Sequence, residues 1–147
     1  MKRQIAMAAI LASFGVLLQI GAASAEARIA GDAGGEVSAY IRKYQAMRAA
    51  GEHIVIDGPC LSSCTLFAGI IPRDHVCVTE RAALGFHAAS YYNDASRSLV
   101  PTRAGTHMVM QHYPQAIRAW INRHGGLTPQ ITTMSGRELA ALYPSCP

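Results

Sequence analysis

The apolar positions of this chain change period several times, and each change marks an element. From Ile5 to Ile20 the run is almost continuous, with Ser13 and Gln19 the only polar side chains. Glu26 to Asp32 has room for a short strand or an arm. Val37, Tyr40, Ile41, Tyr44 and Met47 then recur at spacings of three and four, with Arg42, Lys43 and Arg48 opposite, which predicts an amphipathic helix ended by Gly51. His53 to Asp57 is short and β-branched and reads as a buried strand, broken by Gly58-Pro59. Ser62 to Ile70 is apolar but too rich in small residues for a strand, so it reads as a buried helix starting near Ser62 or Ser63. His75 to Thr79 and Ala83 to His87 read as two further strands, after a turn at Pro72-Arg73-Asp74. Tyr91 to Gly105 is polar, carries Pro101 and reads as a loop. Thr106 to His124 is helical with a forced break at Pro114, and Gly125-Gly126 stops it. Thr128-Pro129 predicts a short helical turn, and Ser135-x-x-Glu138 a capping box opening a last helix through Tyr143. Strands alternating with helices predict an α/β domain: a small, mostly parallel sheet of three or four strands flanked by helices.

The first apolar run changes the domain picture. Lys2 and Arg3 precede it and Ala23-Ser24-Ala25 follows, so residues 1–25 read as a secretory signal peptide cleaved after Ala25. A membrane anchor is the rival reading, but the strongly apolar part is short of the roughly 20 residues that a span requires. Residues 26–147 then form one domain, periplasmic or secreted, with no stable membrane anchor after cleavage. Thirteen Lys and Arg against nine Asp and Glu give a net charge of +4, and two of those cations leave with the signal. The remaining balance points to no nucleic-acid partner. A sheet this short can be completed by a second copy, so a homo-oligomer is compatible with the sequence.

Cys60, Cys64, Cys77 and Cys146 all lie in the exported part. An even count in a small exported domain favours disulfides, with three pairings open. A four-cysteine zinc site is the alternative, but the C-x3-C spacing fits no standard finger. No metal and no cofactor is expected.

Three short segments carry the candidate chemistry, in this order: Asp32-Ala33-Gly34-Gly35-Glu36-Val37, Gly58-Pro59-Cys60-Leu61-Ser62-Ser63 and Leu84-Gly85-Phe86-His87. A glycine pair before a helix lets backbone N–H groups approach a ligand. A serine at a helix mouth sits where developing negative charge is favoured. A histidine ending a later strand can serve as its base. Taken singly, each has a plainer reading: a tight turn, a helix N-cap and a core histidine. Cys64 is a second nucleophile candidate, although a disulfide suits it better in an oxidising compartment.

At these residues the chain resembles the Clp protease and crotonase superfamily, most of all its exported, Clp-protease-like members. The resemblance covers about Gly31 to Ala89. It implies a small, shortened Clp/crotonase-like domain in which Ser62 is the nucleophile and His87 its base. It further implies that N–H groups of Gly34, Gly35 and Ser63 form the oxyanion hole, and that peptide or protein is the substrate. Ala33 and Cys60 depart from the family pattern. So does the absence of a clear triad acid, since Asp94 and Glu138 are the only carboxylate side chains after His87. Asp94 falls soon after His87 and Glu138 is expected in the capping box. Lys43 on the polar helix face gives little support to a Ser-Lys dyad. The sequence therefore carries two expectations: a weakly active or degenerate serine hydrolase, and a non-catalytic envelope domain that keeps the cleft for binding. An acyl-CoA enzyme ranks third, because an exported protein meets little CoA.

Overall fold

The computed structural model describes residues 25–147; the signal segment expected over 1–25 lies outside them except for Ala25. In chain order the elements are β1 (Glu26–Ile29), α1 (Val37–Ala49), β2 (His53–Ile56) and β3 (Pro59–Leu61). A 3-10 turn over Ser62–Leu66 runs into α2 (Phe67–Ile70), followed by β4 (Val76–Val78), β5 (Ala83–Phe86), β6 (Ser90–Asn93) and β7 (Ser98–Pro101). Then come α3 (Arg103–His112), α4 (Gln115–Arg123), β8 (Thr132–Ser135) and α5 (Gly136–Ala140). The architecture is mixed α/β.

The expected single sheet is instead two three-stranded sheets, ordered β1-β2-β4 and β3-β5-β8, plus a β6-β7 hairpin. The first sheet is all parallel. In the second, β3 and β5 are parallel and β8 adds an antiparallel edge. The two sheets are successive stretches of the same strands. β2 turns at Asp57-Gly58 into β3, β4 leads into β5, and beyond β1 Asp32 bridges to Cys60. The turn requires Gly58, because a Cβ there would overlap the Ala30 carbonyl oxygen. The sequence signal that broke the strand was thus a bend within it.

Other departures have local causes. The expected Tyr91–Gly105 loop is the β6-β7 hairpin followed by the start of α3. Its strands bury nothing, with Tyr91, Tyr92 and Leu99 exposed, so no apolar alternation marks them. The Thr102 hydroxyl accepts from the Gly105 N–H, capping α3 one turn before the apolar repeat begins. The break at Pro114 occurs as the sequence requires, separating α3 from α4. No helical turn forms at Thr128, whose carbonyl instead accepts from Ala88 N–H. Ser135 makes no side-chain cap, and Glu138 accepts the Trp120 indole N–H at 2.9 Å. β8 carries no apolar alternation because it buries only Met134.

The core joins both sheets to the helices. Tyr44 of α1 and Phe67 of α2 meet edge-on, while Phe86 of β5 packs against Tyr113 and Trp120. Ile54, Ile56, Leu84, Ile117, Ile121, Met134 and Leu139 fill the space between. Among the described residues no helix is long and apolar enough to cross a membrane.

All four cysteines are paired, Cys60 with Cys64 and Cys77 with Cys146, which removes the zinc alternative. The second bridge fastens the C-terminal tail to β4, where Val78 also pairs with Ser145. The pairing agrees with an oxidising compartment. Replacing Cys77 and Cys146 by serine opens a closure of 69 residues; chain entropy puts the loss at about 4 kcal/mol, against about 2 kcal/mol for the four-residue closure at Cys60 and Cys64. Urea unfolding of the two double-serine variants should rank them in that order.

At the strand bend Asp57 is buried and its carboxylate gathers three partners. Arg81 reaches it at 2.5 Å, the Thr79 hydroxyl at 2.8 Å and Arg28 of β1 at 2.8 Å. These partners, Arg81 foremost, hold the Asp57 carboxyl far below the usual carboxylate range. A carboxyl with a depressed folded pKa stabilises the fold above its unfolded value, about 3.9, and loses that contribution as pH falls towards the folded value. Urea midpoints measured at successive pH values should therefore fall below about pH 4 in the wild type. Asp57→Asn should be less stable at neutral pH and flatter in acid; parallel profiles would remove this role.

Candidate functional site

Ser62 and His87 leave the sheet at the same end. β3 and β5 run parallel with Leu61 opposite Gly85, Ser62 is the first residue beyond β3, and His87 the first beyond β5. Both are half-buried. No hydrogen bond joins the two side chains among the described residues. Nδ1 of His87 instead lies 2.7 Å from the carbonyl oxygen of Ala88. A carbonyl only accepts, so this bond places the imidazole proton on Nδ1 and leaves the lone pair on Nε2.

Ser62 has φ = +58°, a left-handed conformation uncommon outside glycine. It holds that shape because the turn is fastened on every side. The Cys60–Cys64 bridge closes around it, and both cysteines are fully buried. Thr65 Oγ1 donates to the Ser62 carbonyl at 2.6 Å and also meets the hydroxyl of Tyr113, a phenol that burial pushes up to about 12. Tyr44 donates to the Cys64 carbonyl at 2.8 Å. With its sulfur in a disulfide, Cys64 is no longer a nucleophile candidate.

The glycine pair packs against this turn. A Cβ on Gly34 would lie 2.7 Å from the Ser62 Cβ and 3.0 Å from the Ser63 nitrogen, so only glycine fits; its φ of +81° says the same. The pair's N–H groups, however, are already engaged. Gly34 donates to Asp32 Oδ1 at 2.8 Å, and Gly35 donates to Ser63 Oγ at 2.7 Å. The Ser63 hydroxyl returns a bond to the Gly35 carbonyl at 2.7 Å. Ser63 is therefore a buried clamp between the serine turn and the glycine loop. Its own N–H, in the first turn of the 3-10 segment, has no intrahelical partner.

Sequence reasoning missed Asp32. Its carboxylate closes an Asx turn on Gly34, accepts from Tyr40 at 2.5 Å and draws Lys43 to 3.8 Å. Burial, then this carboxylate, pushes the Tyr40 phenol up to about 12. An aspartate two residues before Gly-Gly was the available signal. Lys43 is held there over the Tyr40 and Tyr44 rings. Of the two candidate acids, Glu138 binds Trp120 and faces His124 at 3.8 Å, and Asp94 lies in the hairpin turn between β6 and β7. Among the described residues no cluster of three or more His, Cys, Asp or Glu is placed to hold a metal.

The two serines should respond oppositely to substitution. Ser62→Gly relieves the left-handed conformation and should leave stability unchanged or raise it by up to about 1 kcal/mol. Ser63→Ala strands the Gly35 N–H and carbonyl and should cost about 1–3 kcal/mol. Thermal unfolding of both variants would check the ranking, and the reverse order would contradict it. The chain matches no family model and no curated protein; what the site can do follows from the groups it holds.

Proposed function

We propose that this is an exported serine-hydrolase-like protein of Clp/crotonase-like fold that acts on peptide, with low turnover. The observation that carries the reading is Ser62: a non-glycine residue in a left-handed strand-to-helix turn, beside the end of the strand that delivers His87. A nucleophile held on a sharp, strained turn exposes its hydroxyl to substrate, and strain of this kind concentrates at functional sites.

In this mechanism Ser62 Oγ attacks the scissile carbonyl carbon while His87 Nε2 takes the hydroxyl proton. The proton passes to the leaving amine as the C–N bond breaks, and water then hydrolyses the acyl-serine through the same histidine. The oxyanion falls to the Ser63 N–H, since Gly34 and Gly35 spend theirs within the loop. The Ala88 carbonyl does half the work of a triad acid. It sets the tautomer but carries no negative charge to stabilise the imidazolium. In a serine protease, replacing the acid by its amide costs about four orders of magnitude in turnover.

The carbonyl at His87 favours a second reading, a non-catalytic envelope domain that keeps the cleft for peptide or a partner protein. His87 has a carbonyl where a carboxylate would serve, and Glu138 is committed to Trp120.

Labelling with a fluorophosphonate separates the two. The hydrolase reading expects slow labelling at Ser62, abolished by Ser62→Ala and by His87→Ala, with peptide turnover weak. Labelling that survives Ser62→Ala would mean the wrong nucleophile. An unlabelled but folded wild-type protein would leave the binding domain.

A further inference from the structure

Beyond His87 the chain enters the wall of a cavity of about 500 Å³, between Ala88, the end of β7 and the first turns of α3. Arg103, Thr106, His107 and Met110 line it from one face of α3, at helical spacings of three and four. Ala88, Met110 and Leu127 make its apolar walls.

Its polar groups divide into spent and free. The Thr102 hydroxyl caps Gly105, and the Thr106 hydroxyl accepts from Ala89 N–H and donates to the Thr102 carbonyl. Arg103 and His107 are exposed, and among the described residues neither has an ion-pair or hydrogen-bond partner. No carboxylate lines the cavity. A guanidinium and an imidazole one turn apart, over an apolar floor, complement a planar anion attached to an apolar group.

We infer that this cavity is a binding subsite for a carboxylate-bearing apolar peptide segment, and that Arg103 is its anion-recognising residue. Arg103 grips the carboxylate in bidentate fashion, His107 adds a second contact, and the neighbouring apolar side chain rests against Met110 and Leu127. The inference deepens the hydrolase reading and rests on it for one point, that the bound segment lies beside the reacting pair. The carboxylate comes from a peptide C-terminus or from an acidic side chain, which share this chemistry.

The test uses binding rather than turnover. The Ser62→Ala protein is titrated calorimetrically with an acetylated tripeptide ending in leucine in three forms: the free acid, the C-terminal amide, and an amide carrying glutamate before the leucine. The free acid should bind at least roughly ten-fold more tightly than the plain amide, and Arg103→Ala in the same background should erase that difference. Thermal unfolding of the Arg103→Ala protein should match its parent, since Arg103 is exposed and unpartnered. Tight binding of the glutamate amide as well would assign the site to acidic side chains; its absence assigns the chain terminus. Equal binding of acid and plain amide, no binding of any form, or a preference indifferent to Arg103→Ala would overturn the inference. If fluorophosphonate labelling fails while the acid preference holds, the hydrolase reading falls and the subsite stands; labelling without the preference gives the reverse.

Discussion

At Asp57-Gly58 the chain passes from β2 in one sheet to β3 in the other, and the placement of the serine turn beyond β3 depends on that bend. Gly58 passes so close to Ala30 that no side chain can be accommodated. The adjacent Asp57 collects Arg28, Thr79 and Arg81 at the same point, so neighbouring segments are fixed where they turn. A buried carboxylate is costly unless every oxygen is matched, and here two guanidinium groups and a hydroxyl match it. Because the strands turn together, β3 and β5 remain parallel neighbours and end at one edge. Ser62 and His87 are brought near each other by that shared ending, not by a direct contact.

The turn holding Ser62 is then locked by bonds that the serine side chain does not make. The Ser63 clamp on Gly35, the Asp32 turn on Gly34, the Cys60–Cys64 bridge and the Thr65–Tyr113 pair all act on its neighbours. A left-handed serine costs about 1–2 kcal/mol relative to an ordinary conformation. Such a cost persists only where the surroundings over-determine the backbone, and four independent fastenings do so. Ser63 serves the fold through its two bonds to Gly35, while among the described residues the Ser62 hydroxyl makes no hydrogen bond.

Much of this was legible in the sequence wherever a pattern had a single physical meaning. The α1 repeat, the Pro114 break and the order of the glycine, serine and histidine motifs each correspond to observed elements. Illegible elements bury little or take their register from elsewhere. The β6-β7 hairpin exposes Tyr91, Tyr92 and Leu99, and β8 is a strand because β5 offers it an edge, with Met134 its one buried side chain. Glu138 shows a different limit. Its spacing from Ser135 fits a capping box, yet the buried Trp120 indole N–H needed an acceptor, and satisfying a buried donor outweighs an exposed cap. The same competition hid the fate of Gly34 and Gly35. A glycine pair announces close approach, but cannot say that the N–H groups will be consumed on arrival.

What the Ala88 carbonyl does at His87 limits how the site can work. A carboxylate in a triad does two jobs: it selects the tautomer that leaves Nε2 able to accept a proton, and it stabilises the imidazolium once the proton has moved. A backbone carbonyl selects the tautomer as well as a carboxylate does, because the Nδ1–H needs only an acceptor. The second job requires charge, which a peptide dipole supplies in small part. On the proposed hydrolase reading, the resting state is arranged for attack while the transition state is under-supported, so the defect would fall on turnover and spare binding. On that reading the cleft would keep its affinity for a peptide even where its chemistry is slow. The proposed anion-recognising pocket beside His87 fits that balance, since recognition energy from Arg103 would operate in the ground state whether or not Ser62 completed its attack.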